Sequence, residues 1–496
     1  MSGYVKGRDR NQISIGFMCL DNLIDENNKV RAIDAIVDSM NKTKLSYEHS
    51  ETKATGRPPH DPIKLLKLYI YSYYEKIRSS RKIEKECTRN IEVMWLIEGI
   101  VPDHKCISDF RKNNKSAIKA AFSEFVGICD MLGLLDKNLT AIDGSKFRAS
   151  NARKKHLTIK KANKKIEHFL KMIDEYNKEL DENDSLSDEV AEKIENAENK
   201  VNELENAVKS MKEKGINEIS ETDPDCKLMG LANMGYELSY NVQNAVDGKY
   251  DIIVETDVVN TPADQGQLYK MAVKTAETLG VTKNEPMTIL ADKGYFEVED
   301  IQKCEDDARF TAIVAKPDDR GNEGFKKSDF KYDEKTDCYT CPAGQILHRT
   351  GKKAQTYTNG KACKTCEFRN LCTTDKRGRK ISRNESEKAI EAVVKRFSEN
   401  KELYKRRQMI VEHSFGTVKR TLGFTYFLTR GLGNVRTENR LHMLTYNIKR
   451  VLNIYSVPDL VSALNALAKK KQVISFIFRT YFDVFWLFMP NCVVFH

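Results

Sequence analysis

The stretch ILADKGYFEVED, residues 289–300, combines a buried strand with a carboxylate at the point where that strand ends. The apolar run Met287–Ala291 predicts the strand, and Asp292 follows it directly. The segment LTAIDGSKFRAS repeats the arrangement at Asp143, and a glycine follows each of the two aspartates within two residues. A single aspartate of this kind is more often a helix cap. Two of them favour a shared site, because groups just past the carboxyl ends of strands line the ligand crevice of an open α/β sheet.

Segments on either side of these two strands alternate between strand and helix character. The runs YELSYNVQNAV, YDIIVETDVV and RFTAIVAK predict further strands, whereas DQGQLYKMAVKTAETLG has helical spacing. A long helix is predicted from about Ser386 to Lys419. This order of elements predicts an α/β domain with a mixed sheet and flanking helices over residues 136–450.

Two insertions interrupt the predicted α/β domain. Residues 154–214 are densely charged and place apolar residues three and four positions apart, with a polar break at ENDSLSD. This pattern predicts an antiparallel helical hairpin that projects from the surrounding domain. Residues 318–382 are rich in glycine and cysteine and predict a second, small insertion.

Residues 1–135 predict an all-α amino-terminal domain. The run DPIKLLKLYIYSYYEKIRSS has apolar residues at helical spacing, and Pro62 suits a first helical turn. Short helices with basic residues at their starts, as in SDFRKNNK, suit a helix-turn-helix reader of DNA, although any small helical domain looks similar. The basic residues that we assign to DNA contacts in this domain are Arg78, Arg81, Arg111 and Lys112.

The tail, residues 451–496, contains the one strongly apolar stretch of the chain, VISFIFRTYFDVFWLFMPNCVVF. Arg479 and Asp483 interrupt this stretch and Pro490 cuts it short, so a packed terminal helix or an oligomer contact is favoured over a membrane span. The start of the chain, MSGYVKGRDRNQ, is polar and charged and lacks the pattern of a secretory signal.

Basic residues are concentrated in one part of the sequence. The chain has 496 residues and a formal net charge of +10, and residues 396–450 hold 12 Lys and Arg against 4 Asp and Glu, a surplus of 8. Such a surplus is expected of a surface that meets a polyanion, the alternative being a solvated helical face.

Five of the twelve cysteines form a cluster in the second insertion. The segments DCYTCPAG and ACKTCEFRNLC contain two CxxC pairs about 20 residues apart, which is typical of zinc ribbons and predicts structural Zn²⁺. The alternative is a set of reduced thiols in a β-rich insertion, and the fifth cysteine could replace one ligand or stand free. The predicted ligands are Cys338, Cys341, Cys363, Cys366 and Cys372.

A third carboxylate would complete a site for divalent cations at the two strand ends. Two carboxylates there could hold hard cations, and two metals about 4 Å apart would activate a nucleophile and stabilise a leaving oxygen at phosphorus. Glu412, in IVEHSFGTVKR within the basic stretch, is the best candidate for the third ligand.

The chain resembles a known family at these residues, from about Gly56 to Arg450. In order, GRPPHDPIKLLKLYIYSYYEKIRSSRKIE, WLIEGIVPDHKCISDFRKNN, AIDGSKFRAS, TDPDCKLM, GYELSYNVQNAVD, LADKGYFEVEDI and RRQMIVEHSFGTVKR are similar to motifs of the DDE transposases of bacterial insertion sequences. The resemblance is to the IS1182-type group within the IS4-like superfamily, with an InsH-like amino-terminal domain.

The resemblance implies an RNase H-like core in which Asp143, Asp292 and Glu412 bind Mg²⁺ or Mn²⁺ and catalyse DNA cleavage and strand transfer. The wider family also carries a Tyr, an Arg and a Lys around the glutamate. Lys419 matches that pattern and is expected to contact phosphate. Tyr404 and Arg407 each lie one residue further from Glu412 than the pattern requires, which would place Arg407 about 140° around a regular helix from Glu412.

The resemblance also implies a bacterial, cytoplasmic and nucleoid-associated protein that binds terminal inverted repeats and target DNA, without a membrane. A homodimer in the DNA complex is expected, and we expect the hairpin to help assemble it, the alternative being a solvated hairpin. Two other functions remain open: a DNA-binding protein without catalysis, such as a repressor or an inactive remnant, and an RNase H-like nuclease without strand transfer.

Overall fold

The structure is a computed structural model that describes residues 19–47, 59–151, 156–182, 187–213, 215, 218–220, 222–231, 234–317, 324–350 and 355–470. Its helices are α1 (Lys29–Ser39), α2 (Pro62–Tyr74), α3 (Ser80–Arg89), α4 (Ile91–Leu96), α5 (His104–Asn113), α6 (Lys115–Met131), α7 (Ile159–Glu182), α8 (Ser187–Glu213), α9 (Leu268–Leu279), α10 (Val298–Asp306), α11 (Gly360–Lys364), α12 (Arg369–Cys372), α13 (Glu387–Glu399), α14 (Lys401–Gly416), α15 (Leu432–Leu452) and α16 (Val457–Lys470).

Short 3-10 turns also occur at Leu20–Leu23, Lys293–Tyr295 and Lys327–Asp329, and α14 continues into a π turn at Thr417–Thr421. The strands are β1 (Leu139–Arg148), β2 (His156–Thr158), β3 (Glu218–Ser220), β4 (Lys227–Leu231), β5 (Gly235–Asp247), β6 (Ile253–Val259), β7 (Met287–Ala291), β8 (Phe310–Val314), β9 (Lys331–Asp333), β10 (Cys338–Thr340), β11 (Ile346–Arg349), β12 (Gln355–Thr358) and β13 (Lys380–Arg383).

The first six helices form the amino-terminal region, as its spacing predicts. Asn28, Asp61, Asn90 and Asp103 cap four of these helices with side-chain oxygens that accept backbone N–H groups of the first turn. Pro62 occupies the first turn of α2, where a missing N–H group costs no hydrogen bond.

A six-stranded mixed sheet forms the centre of the molecule. β5 lies antiparallel to β1 along one edge and to β4 and β6 along the other, and β1, β7 and β8 follow one another in parallel. The pairing of β1 with β7 ends at Ile142 opposite Ala291, where β7 ends, whereas β1 continues to Arg148 paired with β5. The predicted mixed α/β architecture with a helical amino-terminal region is confirmed.

α15 joins the helical region to the sheet. It packs on β6 on one side and on α2 and α6 on the other, and residues along most of its length are buried. A single hydrophobic core therefore runs from α1 through α15 into the sheet. Burial of this continuous apolar surface stabilises both regions together.

The charged insertion forms two long helices that pack against each other. α7 and α8 run antiparallel, and their base is closed by the short antiparallel pair of β2 and β3. A small separate cluster of Leu157, Ala162, Val208 and Met211 fills this base.

The Cys-rich insertion has a sheet and a core of its own. Strands β9 to β13 form an antiparallel sheet in the order β13–β12–β11–β10–β9. Its core consists of Phe330, Tyr339, Leu347, Tyr357 and Ile381.

The predicted apolar segment of the tail lies beyond residue 470, outside the described residues. Within the described part of the chain, no single helix has the length and apolar composition to cross a membrane. α15 and α16 meet that criterion only when taken together, and they are bent by 108° relative to each other.

Candidate active site

Asp143 and Asp292 lie side by side at one edge of the central sheet. Asp143 is the residue after Ile142 in β1 and Asp292 follows Ala291 at the end of β7, and these two preceding residues are partners across the parallel pair. Burial raises the pKa of Asp143 to about 6; the Arg407 guanidinium opposes this, whereas the negative charge of Asp292 adds to it. The two carboxylates therefore share one electrostatic environment.

Asp292 also caps the short turn that follows β7. Its Oδ1 accepts a hydrogen bond of 2.8 Å from the backbone N–H of Gly294. The capping role weighed for this aspartate is thus present in the structure, and it occupies one carboxylate oxygen while the second stays available as a ligand. Capping and metal binding are compatible at this position.

Asp264, in the loop before α9, is a third acid near the pair that the sequence pattern did not single out. Its Oδ1 accepts hydrogen bonds from Asn241 Nδ2 at 2.7 Å and from Gln243 Nε2 at 2.8 Å, and its Oδ2 lies 3.4 Å from Lys146 Nζ. Its charge contributes to the raised pKa of Asp143. No strand precedes it directly, so its place beside the site depends on the packing of the loop.

Gly144 keeps the space between Asp143 and this third acid open. A Cβ atom at this position would lie 2.4 Å from Asp264 Oδ1 and 2.4 Å from Gln243 Nε2, distances at which atoms overlap. A larger residue here would displace the side chains of Asp264 and Gln243, which hydrogen bond to each other, so glycine preserves their arrangement beside Asp143.

Arg407 and Tyr404 project from α14 towards the carboxylates. Arg407 Nη1 lies 3.9 Å from Asp143 Oδ1, and its guanidinium lies 5.7 Å from the centre of the Tyr404 ring. Burial raises the pKa of Tyr404, and the nearby Arg407 opposes this rise. Tyr404 and Arg407 each lie one residue further from Glu412 than the family spacing requires. In the structure both lie on the side of α14 that faces Asp143.

Glu412 lies on a different side of the same helix. Its side chain is exposed, and its Oε1 accepts a hydrogen bond of 2.8 Å from Gln408 Nε2. In the part of the chain that the structure describes, no group of three or more His, Cys, Asp or Glu side chains is arranged to hold a metal ion. The two aspartates are brought together, whereas Glu412 is not brought to them.

Lys419 reaches the site from the π turn after α14. Its Nζ donates to Ser145 Oγ at 2.6 Å and to the Lys146 carbonyl at 3.1 Å, and it lies 4.5 Å from the centre of the Phe147 ring. Burial lowers the pKa of Lys419, and the charge of Asp143 opposes this effect. Lys419 lies within the π turn, so its direction relative to Glu412 does not follow the seven-residue offset of a regular α-helix.

The four basic residues assigned to DNA contacts divide into two pairs. Arg78 is 9% exposed, forms an ion pair of 3.0 Å with the buried Glu438 and lies over the ring of Phe424. Arg111 donates to Tyr73 Oη at 2.7 Å. These internal contacts do not suit Arg78 and Arg111 to binding DNA, because their guanidinium groups stabilise the packing of the helical region.

Arg81, on α3, and Lys112, on α5, are exposed. They are the members of the set that are accessible to a phosphate backbone.

Four of the five clustered cysteines line one cavity of about 30 Å³ in the Cys-rich insertion; they are Cys341, Cys363, Cys366 and Cys372. The Sγ of Cys341 accepts the backbone N–H of Gln345 at 3.3 Å. Cys338 departs from this set, because its Sγ lies 3.4 Å from Nδ1 of His348, its partner across β10 and β11. All five are free thiols in the structure.

Comparisons with known proteins identify two transposase regions. The transposase domain family DUF772 matches residues 18–113, and a transposase DDE domain family matches residues 319–452. Among solved structures, the cryo-EM structure of the piggyBac transposase synaptic complex with hairpin DNA is 9% identical, with a TM-score of 0.32, and the match covers 90% of this chain and 82% of that one. No curated protein matches the chain significantly.

The second family match contains Glu412, Lys419 and the cysteine cluster, and the first contains the helices that carry Arg81 and Lys112. Together the two matches confirm the resemblance to the DDE transposases that the sequence motifs predict.

Proposed function

We propose that the protein is a transposase that cuts DNA at the ends of its own insertion sequence and joins those ends to target DNA. The observation that carries this proposal is the pair Asp143 and Asp292 on adjacent parallel strands, at the point where the pairing of β1 with β7 ends, with Arg407 and Lys419 beside it. The order of β6, β5 and β1, which are antiparallel, followed by β7 and β8, which are parallel to β1, supports an RNase H-like core to which β4 is added. Both transposase family matches support the same conclusion.

Asp143 and Asp292 are the residues that would hold Mg²⁺ or Mn²⁺. Glu412, the third ligand that the family resemblance implies, points away from them in the structure and would have to turn towards them when the ions bind. Two partly buried carboxylates with hard oxygen donors suit these cations, which when bound activate the attacking oxygen and stabilise the leaving one. Arg407 lies against Asp143 in the structure and offsets part of its negative charge. Lys419, held by Ser145 and the Lys146 carbonyl, places a cation beside the same edge for a phosphate oxygen.

The two reactions of a transposase are both phosphoryl transfers. In the first, the oxygen of a water molecule attacks the phosphorus at the element end, and the bond to the 3′ oxygen breaks. In the second, the freed 3′-hydroxyl attacks a phosphorus of the target strand, and the bond from that phosphorus to the target's 3′ oxygen breaks, so the element end is joined to the 5′ phosphate of the target and a target 3′-hydroxyl is released. The charged side chains around the carboxylates would act in both by positioning the strands and neutralising charge.

The test is a cleavage assay on labelled duplex carrying the inverted repeats that flank the gene. We expect Asp143→Asn, Asp292→Asn and Glu412→Gln each to lower cleavage by at least about 100-fold and to leave DNA binding largely intact. Glu402→Gln is the matched control, since Glu402 is on the same helix as Glu412 and its side chain is 86% exposed. Full cleavage by one of the three variants would remove that residue from the catalytic set.

The same assay separates the proposed function from its two alternatives. Binding of element ends without nicking, by the wild type in Mg²⁺ and in Mn²⁺, would indicate a non-catalytic DNA-binding protein. Nicked products without joined strands would indicate a nuclease. Joined products are the expected outcome.

We further propose that the Cys-rich insertion binds one structural Zn²⁺ through Cys341, Cys363, Cys366 and Cys372. The cavity that these four line has about the volume of one water molecule, and thiolates are the preferred ligands of structural zinc. The described thiols are not yet in metal-binding geometry, so their closure around the ion would accompany binding. Cys338 is left out because its thiol faces His348.

A pair of substitutions tests this choice of ligands. Cys372→Ser should lose bound zinc, as measured by mass spectrometry of the native protein, whereas Cys338→Ser should retain one equivalent. The reverse result would favour the two CxxC pairs as the ligand set. A wild type that binds no zinc would indicate a set of reduced thiols.

A further inference from the structure

Two surface cavities adjoin each other where the end of β1 meets the helical region. The first, of about 530 Å³, lies between the end of β1 and the segment after the π turn. The second, of about 340 Å³, lies between that segment and α5. Both are lined by Ser150 and Arg430, so they form one continuous depression, which we call the strand-end groove.

The lining of the strand-end groove is basic. Arg148 and Arg430 line the first cavity, and Arg111, Lys112 and Arg430 line the second; among the residues that the structure describes, Glu237 is the one acidic residue in either lining. Arg430 is exposed and anchored, because its Nε donates to the Ser150 carbonyl at 3.0 Å. A concave surface with several cations and one anion attracts a polyanion.

Backbone hydrogen bonds between the end of β1 and the segment after the π turn form one wall of the groove. Arg148 N donates to the Thr425 carbonyl at 3.3 Å, and Phe427 N donates to the Arg148 carbonyl at 2.8 Å, so Tyr426 lies beside Arg148 as in a parallel bridge. The Tyr426 ring is 40% exposed and lies 5.7 Å from the Arg148 guanidinium. Arg148 leaves β1 on the face opposite the buried Phe147, and hence towards solvent.

The groove is close to the two aspartates along the same strand. Arg148 is five residues beyond Asp143 in β1, which corresponds to about 16 Å. That distance corresponds to about five base pairs along duplex DNA. On its other side the groove reaches Lys112 on α5, within the helical region.

We infer that the strand-end groove binds the phosphate backbone of the DNA strand that leads from the cleavage point to the helical region. This inference rests on the proposed transposase function and adds the surface along which the substrate passes. Arg148, Arg430 and Lys112 contact successive phosphates, and Tyr426 offers an aromatic surface beside them. These contacts are to the backbone, so they bind DNA irrespective of sequence.

The test measures binding of the full-length protein to a random-sequence duplex of about 30 base pairs by fluorescence anisotropy at several salt concentrations. Each phosphate contact contributes about 0.9 to the slope of log affinity against log salt, so the Arg148→Gln/Arg430→Gln double variant should lower the slope by about 2. Lys112→Gln, which changes an exposed side chain on α5, should lower it by about 1. Lys388→Gln is the matched control, because Lys388 is 80% exposed and lies on α13 beside the Cys-rich insertion.

The outcomes separate this inference from the proposed function. Wild-type slope and affinity in both groove variants, with a wild type that cleaves element ends, would overturn the groove while leaving the transposase intact. A wild type that neither binds nor cleaves DNA would overturn the proposed function itself. A fall in slope in the groove variants and none in the control is the expected result.

Discussion

At the scale of single residues, Asp143 is held in a position that destabilises its charged form. Its side chain is 22% exposed, and burial with two neighbouring carboxylates raises its pKa from 3.8 to about 6. Between these two values the folded protein keeps a proton that the unfolded chain has lost, so stability falls as pH rises through this window. Above about pH 6 the destabilisation is complete, and below about pH 4 it is absent.

We therefore expect Asp143→Asn to stabilise the metal-free protein by about 2–3 kcal/mol near pH 8 and to have little effect near pH 4. Thermal unfolding in the presence of a chelator at both pH values measures this difference. Addition of Mn²⁺ should raise the melting temperature of the wild type more than that of the variant, because a bound ion stabilises the folded state. An unchanged or lower melting temperature for the variant near pH 8 would contradict the electrostatic account.

Single residues also show where sequence reasoning succeeds. Asp143 and Asp292 could be found from the sequence because the signal is local: an apolar strand followed at once by an acid. Asp264 gives no such signal. It lies in a loop, and only folding brings it next to Asn241 and Gln243. The ion pair of Arg78 is hidden from the sequence for a related reason, because its partner Glu438 is distant along the chain and the pair exists only in the folded protein.

At the scale of elements, the helical hairpin of α7 and α8 contributes little to the packing of the central sheet. α7 and α8 contact chiefly each other, and β2 with β3 closes their base. Replacing residues 160–213 with a short Gly/Ser linker should leave the melting temperature of the core nearly unchanged, because the ends to be joined lie close together.

Light scattering of this deletion variant, with and without element-end DNA, tests the proposed dimer. If the hairpin assembles two subunits, the DNA complex of the variant should contain one protein copy where that of the wild type contains two. The same mass for both proteins in both conditions would leave the hairpin without a role in assembly.

α14 shows why the position of a helix is easier to predict than the directions of its side chains. The helical spacing predicts one helix from about Ser386 to Lys419, whereas the structure divides this stretch at Asn400 into α13 and α14. The five-residue offset agrees with Arg407 and Glu412 lying on different sides of α14. Lys419 lies within the π turn at Thr417–Thr421, which widens the helix there, and no local sequence pattern predicts that turn.

At the scale of the whole molecule, a buried carboxylate connects the amino-terminal helical region to the segment that follows the π turn. Glu438 is fully buried and accepts from Leu428 N at 3.1 Å, Thr429 N at 2.9 Å, Thr429 Oγ1 at 2.7 Å and Arg78 Nη2 at 3.0 Å. The groups that donate hydrogen bonds to Glu438 thus come from the amino-terminal region and from the segment that borders the strand-end groove.

Glu438→Gln should lower the free energy of unfolding by about 3 kcal/mol, because it leaves Arg78 buried without a counter-charge. Urea unfolding measures the loss, and Glu98→Gln serves as the control, since Glu98 forms an exposed pair with Lys64. A change below about 0.5 kcal/mol would show that the buried pair is dispensable.

The continuous core through α15 has a consequence for anyone who wishes to redirect such a protein to new DNA ends. An exchange of the first 135 residues between two relatives would separate α2 and α6 from the helix against which they pack. The apolar surfaces along that boundary would no longer match, so part of them would be exposed. We expect the chimaera to lose solubility before its choice of DNA ends changes. Retargeting is therefore better attempted by altering exposed side chains of α3 and α5, with the buried faces of both helices left as they are.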